Sequence, residues 1–199
     1  MVKKYVFGKG YDLTQDFIYV SSLITETHTQ FDCENDCIVN RYNPAIKGDW
    51  KYDYISIVTK EKYAQGVKFS TKCTFEHYGA PLLVFTDDIA SRNGRNYYGV
   101  HFEVVAYDQG VNIWHIKPTA DKNAEMPIEV QLIGQLVFPI ADGTPVDLSA
   151  SVENNTIFVE INGKTVSATH SDIPKAFHVG VTACEGVNRF YHFEIEEKV

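Results

Sequence analysis

Residues 146–163, with the sequence VDLSASVENNTIFVEING, decide the fold class of this chain. Apolar and polar residues alternate without a break over 146–152, and the alternation returns over 157–161. Because successive side chains of a β-strand point to opposite faces, this pattern predicts two strands that each bury one face. Asn154-Asn155 separates them. Asn162-Gly163 predicts a second hairpin, because a two-residue hairpin turn needs positive φ at both central residues.

The same period of two covers most of the chain, and we find no amphipathic helix longer than a turn or two. Further strands are predicted near residues 2–7, 17–23, 38–42, 54–60, 67–75, 82–86, 98–107, 111–117, 128–138, 165–170, 177–183 and 189–196. So many strands, joined mostly by short turns, indicate an all-β, antiparallel two-sheet jelly-roll sandwich. No low-complexity linker divides the chain, so we expect a single domain over residues 1–199.

Composition excludes several classes of partner. The 199 residues include 26 Asp and Glu against 18 Lys and Arg, a formal charge of −8, which argues against nucleic acids and anionic membranes. The beginning of the sequence lacks the apolar core of about 7–15 residues that a signal peptide needs. No stretch approaches the roughly 20 apolar residues of a membrane helix. We therefore expect a soluble, cytoplasmic protein.

Four cysteines are too few for a disulfide framework in a chain of this length. Cys73 and Cys184 lie in predicted strands and are expected to be small buried thiols. Cys33 and Cys37 could supply two zinc ligands, but no second Cys/His pair follows at finger-like spacing. We interpret them as solvated loop thiols and assign no metal ligands.

The C-terminal half resembles the concanavalin A-like lectin/glucanase superfamily. The resemblance lies in the alternating strand at 146–152, the hairpin segment Thr156-Ile157-Phe158-Val159-Glu160-Ile161-Asn162-Gly163-Lys164, and the strand Phe177-His178-Val179-Gly180-Val181. A final strand, 189–195, would close the sandwich, and the similarity covers roughly residues 54–199. The superfamily includes lectins, glycosidases, polysaccharide lyases and inert adhesion modules, so the fold alone does not fix the activity.

The resemblance implies a glycan site on the concave sheet, crossed by the strand 97–107. The alternation there predicts Tyr97, His101, Glu103 and Tyr107 on one face, with Tyr98, Phe102 and Val104 in the core between the sheets. The next strand offers Trp114 or His115, depending on its register. An indole stacks on a pyranose ring, while carboxylate and imidazole groups bind its hydroxyls. The alternative is that His101 and Glu103 only occupy the solvated face of a strand and that Trp114 belongs to the core.

Catalysis would require more than this face. The glucanase branch of the superfamily carries Glu-x-Asp-x-x-Glu on one strand, and this sequence lacks that motif. Its nearest counterpart is Glu194-Ile195-Glu196-Glu197, which we interpret as a polar terminal strand. Glu103 is the candidate catalytic carboxylate, and its candidate partners are Glu76, Asp87 and Glu129. A lyase would instead use Tyr107 or His101 as base, with Gln131 at the substrate.

Other constellations are weaker. His101-Phe102-Glu103 and His192-Phe193-Glu194 would form a metal site only if their strands were neighbours. Structural calcium is the one cofactor that the resemblance leaves open, at Asp87-Asp88 or within 32–36, although neither segment has a recognisable ligand spacing.

The sequence therefore predicts glycan recognition on the concave sheet. The alternatives are a glycoside hydrolase (or a polysaccharide lyase) acting on a small oligosaccharide, and a non-catalytic structural or interaction sandwich. The discriminating feature is a second carboxylate close to Glu103. The oligomeric state is left open.

Overall fold

The computed structural model describes residues 1–23, 30–40, 54–121 and 126–197. Two eight-stranded antiparallel sheets account for most of these residues. Sheet I contains β1 (Val2–Val6), β3 (Asp32–Cys33), β4 (Ile38–Val39), β7 (Val67–Glu76), β14 (Val146–Glu153), β15 (Thr156–Ile161), β16 (Lys164–Thr169) and β18 (Val187–Glu197). Sheet II contains β2 (Phe17–Val20), β5 (Tyr54–Thr59), β6 (Tyr63–Ala64), β8 (Ala80–Thr86), β11 (His101–Tyr107), β12 (Gly110–Pro118), β13 (Ile128–Val137) and β17 (Ala176–Cys184).

The strand order confirms the predicted sandwich. Sheet I runs β16-β15-β14-β7-β18-β4-β3, with β1 also paired to β18, and sheet II runs β13-β12-β11-β8-β17-β5-β2, with β6 paired to β17. A two-stranded hairpin, β9 (Ile89–Arg92) and β10 (Arg95–Tyr98), and one helical turn, α1 (Leu13–Asp16), complete the described elements. Among the described residues no helix is long and apolar enough to cross a membrane.

Aromatic rings from both sheets fill the core between them. Phe69 of β7 meets Phe85 of β8 with ring centroids 6.0 Å apart, and Phe85 packs at 4.9 Å against both Phe102 and Phe177. These four side chains are at most 1% exposed. Full burial of a phenylalanine side chain stabilises a fold by about 1.5–3 kcal/mol, so this cluster holds the two sheets together.

The turns of the fold-deciding stretch take the predicted conformations. Asn154 and Asn155 have φ values of 49° and 59°, and Asn162 and Gly163 have 47° and 77°. All four residues therefore lie in the left-handed region that a two-residue hairpin turn of this kind requires. The inward alternation of β14 and β15 is also confirmed, because Val146, Leu148, Ala150, Val152, Ile157, Val159 and Ile161 are all buried.

The predicted strand over 97–107 is interrupted. β10 ends at Tyr98 and β11 begins at His101, with a bend between them. The Asp88 carboxylate accepts the backbone N–H of Val100 at 2.9 Å, and a Cβ on Gly99 would overlap that carboxylate. The alternation of side chains does not continue through this bend. The side on which a β11 residue lies therefore does not predict the side on which a β10 residue lies.

A second apolar cluster lies on the outer face of sheet II, and it corrects the assignment of Tyr98 to the core. It consists of Val20, Tyr54, Val58, Val84 and Tyr98, with Ile18, Ile89 and Cys184 packed against it. The β9–β10 hairpin brings Tyr98 onto this face, where its hydroxyl lies 2.6 Å from Ser56 Oγ. Phe102 and Val104 do belong to the core between the sheets, as predicted.

None of the four cysteines is in a disulfide bond. Cys73 is buried, as predicted, whereas Cys184 is half-buried. Cys37, expected to be a solvated loop thiol, is instead buried in the short β3–β4 hairpin, where its Sγ donates to Glu34 Oε2 at 3.7 Å. Burial raises the pKa of Cys37 to about 11, so the thiol is protonated at neutral pH.

Candidate functional site

The outer face of sheet II carries the candidate site, and strand register determines its members. Glu103 on β11 lies between Val84 of β8 and Trp114 of β12. Phe102 and Val104, the neighbours of Glu103 in sequence, point into the core. Directly opposed side chains on neighbouring strands have Cβ atoms about 4.5–5.5 Å apart, so Trp114 is the cross-strand neighbour of Glu103 on this face.

The Glu103 carboxylate accepts a hydrogen bond at one of its two oxygens, Oε1. The hydroxyl of Tyr54, on β5, crosses the outer face of sheet II and donates to Glu103 Oε1 at 2.8 Å. Burial, and next the negative charge of Glu103, raise the pKa of Tyr54 well above its usual value. The hydroxyl therefore stays protonated and is a permanent donor. The Glu103 side chain keeps 9% of its surface exposed.

His101 approaches the same carboxylate oxygen. Its Nδ1 lies 2.9 Å from the carbonyl oxygen of Gly99, which can only accept, so Nδ1 carries a proton. The other ring nitrogen, Nε2, lies 3.6 Å from Glu103 Oε1. The ring itself stacks on Tyr98 with centroids 4.6 Å apart. Tyr54 and His101 thus both act on Oε1, and the described residues place no hydrogen bond on Oε2.

A network of polar side chains lies between Glu103 and the edge strand of sheet II, β13, on the same outer face. Gln135 Nε2 donates to Asn112 Oδ1 at 3.0 Å and to the Tyr107 hydroxyl at 3.3 Å. Register sets Asn112 opposite Gln135, and Trp114 opposite Leu132. Leu132 is 43% exposed, and Trp114 is half-buried.

We call this surface the Trp114 face, and its members are Glu103, Tyr107, Asn112, Trp114, Leu132 and Gln135. It combines a partly exposed indole with one carboxylate and two amides. An aromatic ring of this kind can stack on the apolar side of a pyranose, while carboxylate and amide oxygens accept hydrogen bonds from hydroxyls. Tyr54 and His101 lie beside it on the same outer side of sheet II, and both approach Glu103 Oε1.

Three of the predicted site residues lie elsewhere. Tyr97 is on the β9–β10 hairpin, paired with Ala90, and alternation directs it away from Tyr98 and so from the sheet. His115 pairs with Phe102, which places it on the inner side of sheet II, and Gln131 is its opposite partner on β13. The register that the sequence left open therefore selects Trp114 for the outer face.

Two of the three candidate carboxylate partners of Glu103 pair with cationic side chains. Glu76 Oε1 accepts a hydrogen bond from Arg189 at 3.3 Å, and Glu129 pairs with Lys117 at 3.0 Å. Asp87 is exposed, in the segment that follows β8. Glu194 lies on β18 of sheet I, where it pairs with Lys4 at 3.1 Å, consistent with a polar strand.

The two His-Phe-Glu segments do not form a metal site, because β11 belongs to sheet II and β18 to sheet I. Among the described residues, three potential ligand atoms come together only at His115, His170 and Asp172. The acidic segments considered for calcium are not part of that group.

Tyr54, Asn112 and Gln135 were missed from the sequence. Tyr54 begins a strand whose outward residues alternate with buried Ile55 and Ile57. The alternation therefore predicts that the Tyr54 side chain faces outward, but it does not predict the hydrogen bond to Glu103. Asn112 shares a face with Trp114 by simple alternation. The sequence shows this alternation, but it assigns Asn112 to the site only when the register shows that Trp114 lies on the outer face.

Solved structures with the same fold include three carbohydrate-related proteins. β-Agarase A from Zobellia galactanivorans matches 100% of this chain and 93% of its own, with a TM-score of 0.65 and 10% identity. Bacillus licheniformis β-glucanase matches 99% of this chain and 98% of its own, with a TM-score of 0.60 and 11% identity. The carbohydrate-binding module CBM66 from Bacillus subtilis matches 86% and 95%, with a TM-score of 0.57 and 12% identity.

No family model matches the sequence, and neither does any curated protein. The structural likeness, at identities of 10–12%, concerns the fold. The chain has the concanavalin A-like β-sandwich fold shared by lectins, glucanases and carbohydrate-binding modules.

Proposed function

We propose that this protein binds a neutral glycan on the Trp114 face without cleaving it. The observation that carries the proposal is the pairing of a partly exposed indole, Trp114, with a buried carboxylate, Glu103, on adjacent strands of the sheet. The indole would stack on a sugar ring, and Glu103 Oε2 would accept its hydroxyls. Asn112 and Gln135 extend the same surface and would contact a second ring.

The arrangement around Glu103 favours binding over hydrolysis. Glycosidases that use two carboxyl groups hold them about 5–5.5 Å or about 6.5–9.5 Å apart. On β11 the other outward residues are His101, Val105 and Tyr107, so this strand presents a single carboxylate. The residues directly opposite Glu103 are Val84 and Trp114, which supply no acid.

Charge favours a neutral ligand. The chain carries a formal charge of −8, and the Trp114 face itself contains a carboxylate but no lysine or arginine. A uronate or sulfated glycan would meet repulsion at Glu103 with no cation in this group of residues to offset it. Hydroxyl groups, in contrast, donate well to a carboxylate oxygen.

The similar structures support a carbohydrate ligand at the level of the fold. One is named a carbohydrate-binding module, and another is a β-agarase solved with oligoagarose. Because binding modules and hydrolases share this architecture, the choice between them for this chain depends on the residues of the Trp114 face.

The test is calorimetric titration of the protein with short β-glucan and agarose oligosaccharides. We expect one of these probes to bind and Trp114→Ala to weaken it at least about tenfold, equivalent to about 1.4 kcal/mol. The matched control is Phe158→Ala, because Phe158 is an aromatic side chain, 48% exposed, on the outer face of sheet I. The control should bind as the wild type does.

Chromatography of the sugar after incubation separates binding from cleavage. We expect the oligosaccharide to be recovered unchanged. Cleavage by the wild type but not by Glu103→Gln would instead establish a glycosidase. Absence of binding across both probe series, or equal affinity in Trp114→Ala and wild type, would contradict the proposed site.

A further inference from the structure

Three potential metal ligands meet at the edge of the sandwich, on the inner side of sheet II. His115 lies on β12, while His170 and Asp172 follow β16 of sheet I. The imidazole centroids of His115 and His170 are 4.1 Å apart, and Asp172 Oδ2 is 3.3 Å from His115 Nε2. One nitrogen or oxygen atom from each residue lies within 4.8 Å of the other two.

His115 brings a buried nitrogen that lacks a hydrogen bond. The side chain is 4% exposed, and its Nε2 makes no hydrogen bond, although Asp172 Oδ2 lies 3.3 Å away. Buried polar atoms are nearly always satisfied, so an exception calls for an explanation. A cation between Nε2 and the carboxylate would satisfy both groups.

His170 Nδ1 accepts a hydrogen bond from the turn that contains Asp172. The backbone N–H of Asp172 donates to His170 Nδ1 at 3.2 Å, so in the neutral ring Nδ1 is unprotonated and Nε2 carries the proton. The Nδ1 lone pair is therefore directed toward the turn that contains Asp172. A metal ion at Nδ1 would take the place of this hydrogen bond.

We propose that His115, His170 and Asp172 bind a divalent transition-metal ion of the Zn²⁺ class, which links β12 of sheet II to the turn after β16 of sheet I. Tetrahedral Zn²⁺ with ligands at about 2.0–2.1 Å has ligand atoms about 3.3–3.4 Å apart. The separation of His115 Nε2 from Asp172 Oδ2, 3.3 Å, already matches this geometry. Two imidazoles and a carboxylate suit Zn²⁺, Co²⁺ or Ni²⁺ and not Ca²⁺, which takes oxygen ligands.

The site is open on one side. The Asp172 side chain is 47% exposed, which gives an ion a path from solvent and leaves room for a water molecule as fourth ligand. It lies on the opposite side of sheet II from the Trp114 face, so this inference does not depend on the proposed function.

The test is equilibrium dialysis of chelator-treated protein against ZnCl₂, with metal content read by mass spectrometry and the melting temperature by calorimetry. We expect one Zn²⁺ per chain and a rise in Tm of about 5–10 °C at free zinc 100-fold above Kd. Co²⁺ should give the intense visible absorption of a four-coordinate ion.

Substitutions at the half-buried His170 and the exposed Asp172 test the site without altering the buried His115. His170→Asn and Asp172→Asn should each weaken Zn²⁺ binding at least about 100-fold, since loss of an outer partner alone costs about 10–100-fold. His77→Asn, at an exposed histidine elsewhere, and Cys33→Ser should bind as the wild type does. Failure of the wild type to bind zinc, or unchanged affinity in both site variants, would overturn the proposal.

Discussion

Replacement of Tyr54 by Phe tests whether the hydrogen bond from the Tyr54 hydroxyl to the Glu103 carboxylate stabilises the protein. The change removes one donor, 2.8 Å from Glu103 Oε1, and keeps the ring that packs edge-on against Tyr98 with centroids 6.5 Å apart. Both partners are buried, with Tyr54 5% and Glu103 7% exposed. A hydrogen bond to a charged group contributes about 1.5–3 kcal/mol, so we expect Tyr54→Phe to lower the free energy of unfolding by about 2 kcal/mol.

Urea denaturation followed by circular dichroism measures this loss. With a denaturant slope of about 2 kcal/mol/M, the midpoint should fall by about 1 M. Tyr78→Phe is the matched control, because Tyr78 is 81% exposed, and it should change the free energy of unfolding by less than about 0.5 kcal/mol.

The double variant with Glu103→Gln shows whether the two residues act together. If they do, its destabilisation is smaller than the sum of the single effects by at least about 1 kcal/mol. An effect of Tyr54→Phe no larger than that of Tyr78→Phe would refute the reasoning, because the hydrogen bond to Glu103 would then contribute nothing in solution.

Two further predictions concern stability. Gly180→Ala should cost about 3 kcal/mol or more in urea denaturation, because a Cβ there would overlap the Ile57 carbonyl on the adjacent strand, and a loss below about 1 kcal/mol would contradict this packing. Burial lowers the pKa of His115, His178 and His192 below the usual 6.5. The unfolded chain therefore binds more protons than the folded chain, and the urea midpoint should fall as pH decreases from about 7 to about 5. His178→Gln should reduce this slope, and a midpoint that rises toward pH 5 would contradict the assignment.

Alternation within single strands predicted much of the fold. Over 146–161 it identified the inward side chains correctly, since burial of every second residue is a local property of a strand that covers a core. It failed at the bend at Gly99, where the Asp88 carboxylate interrupts the strand and shifts Tyr98 to the outer face. A period of two carries no information across such a break.

The candidate site depended on contacts that are distant in sequence. Glu103 was predicted, but its donor Tyr54 lies 49 positions earlier, on a strand separated from β11 by two others. The choice between Trp114 and His115 required the register of β11 and β12, which one residue of slippage would reverse. The group of His115, His170 and Asp172 likewise arises from the packing of the two sheets and leaves no spacing motif in the chain.

Tryptophan fluorescence tests the central claim most directly, because the chain has only two tryptophans, Trp50 and Trp114. Trp50→Phe leaves the indole of Trp114 as the single reporter. We expect a β-glucan or agarose oligosaccharide that binds the protein to shift this emission to shorter wavelength, with saturation at the calorimetric Kd, since a sugar stacked on the ring excludes water from it. Calorimetric binding with no change in the Trp114 emission would place the ligand elsewhere and contradict the account.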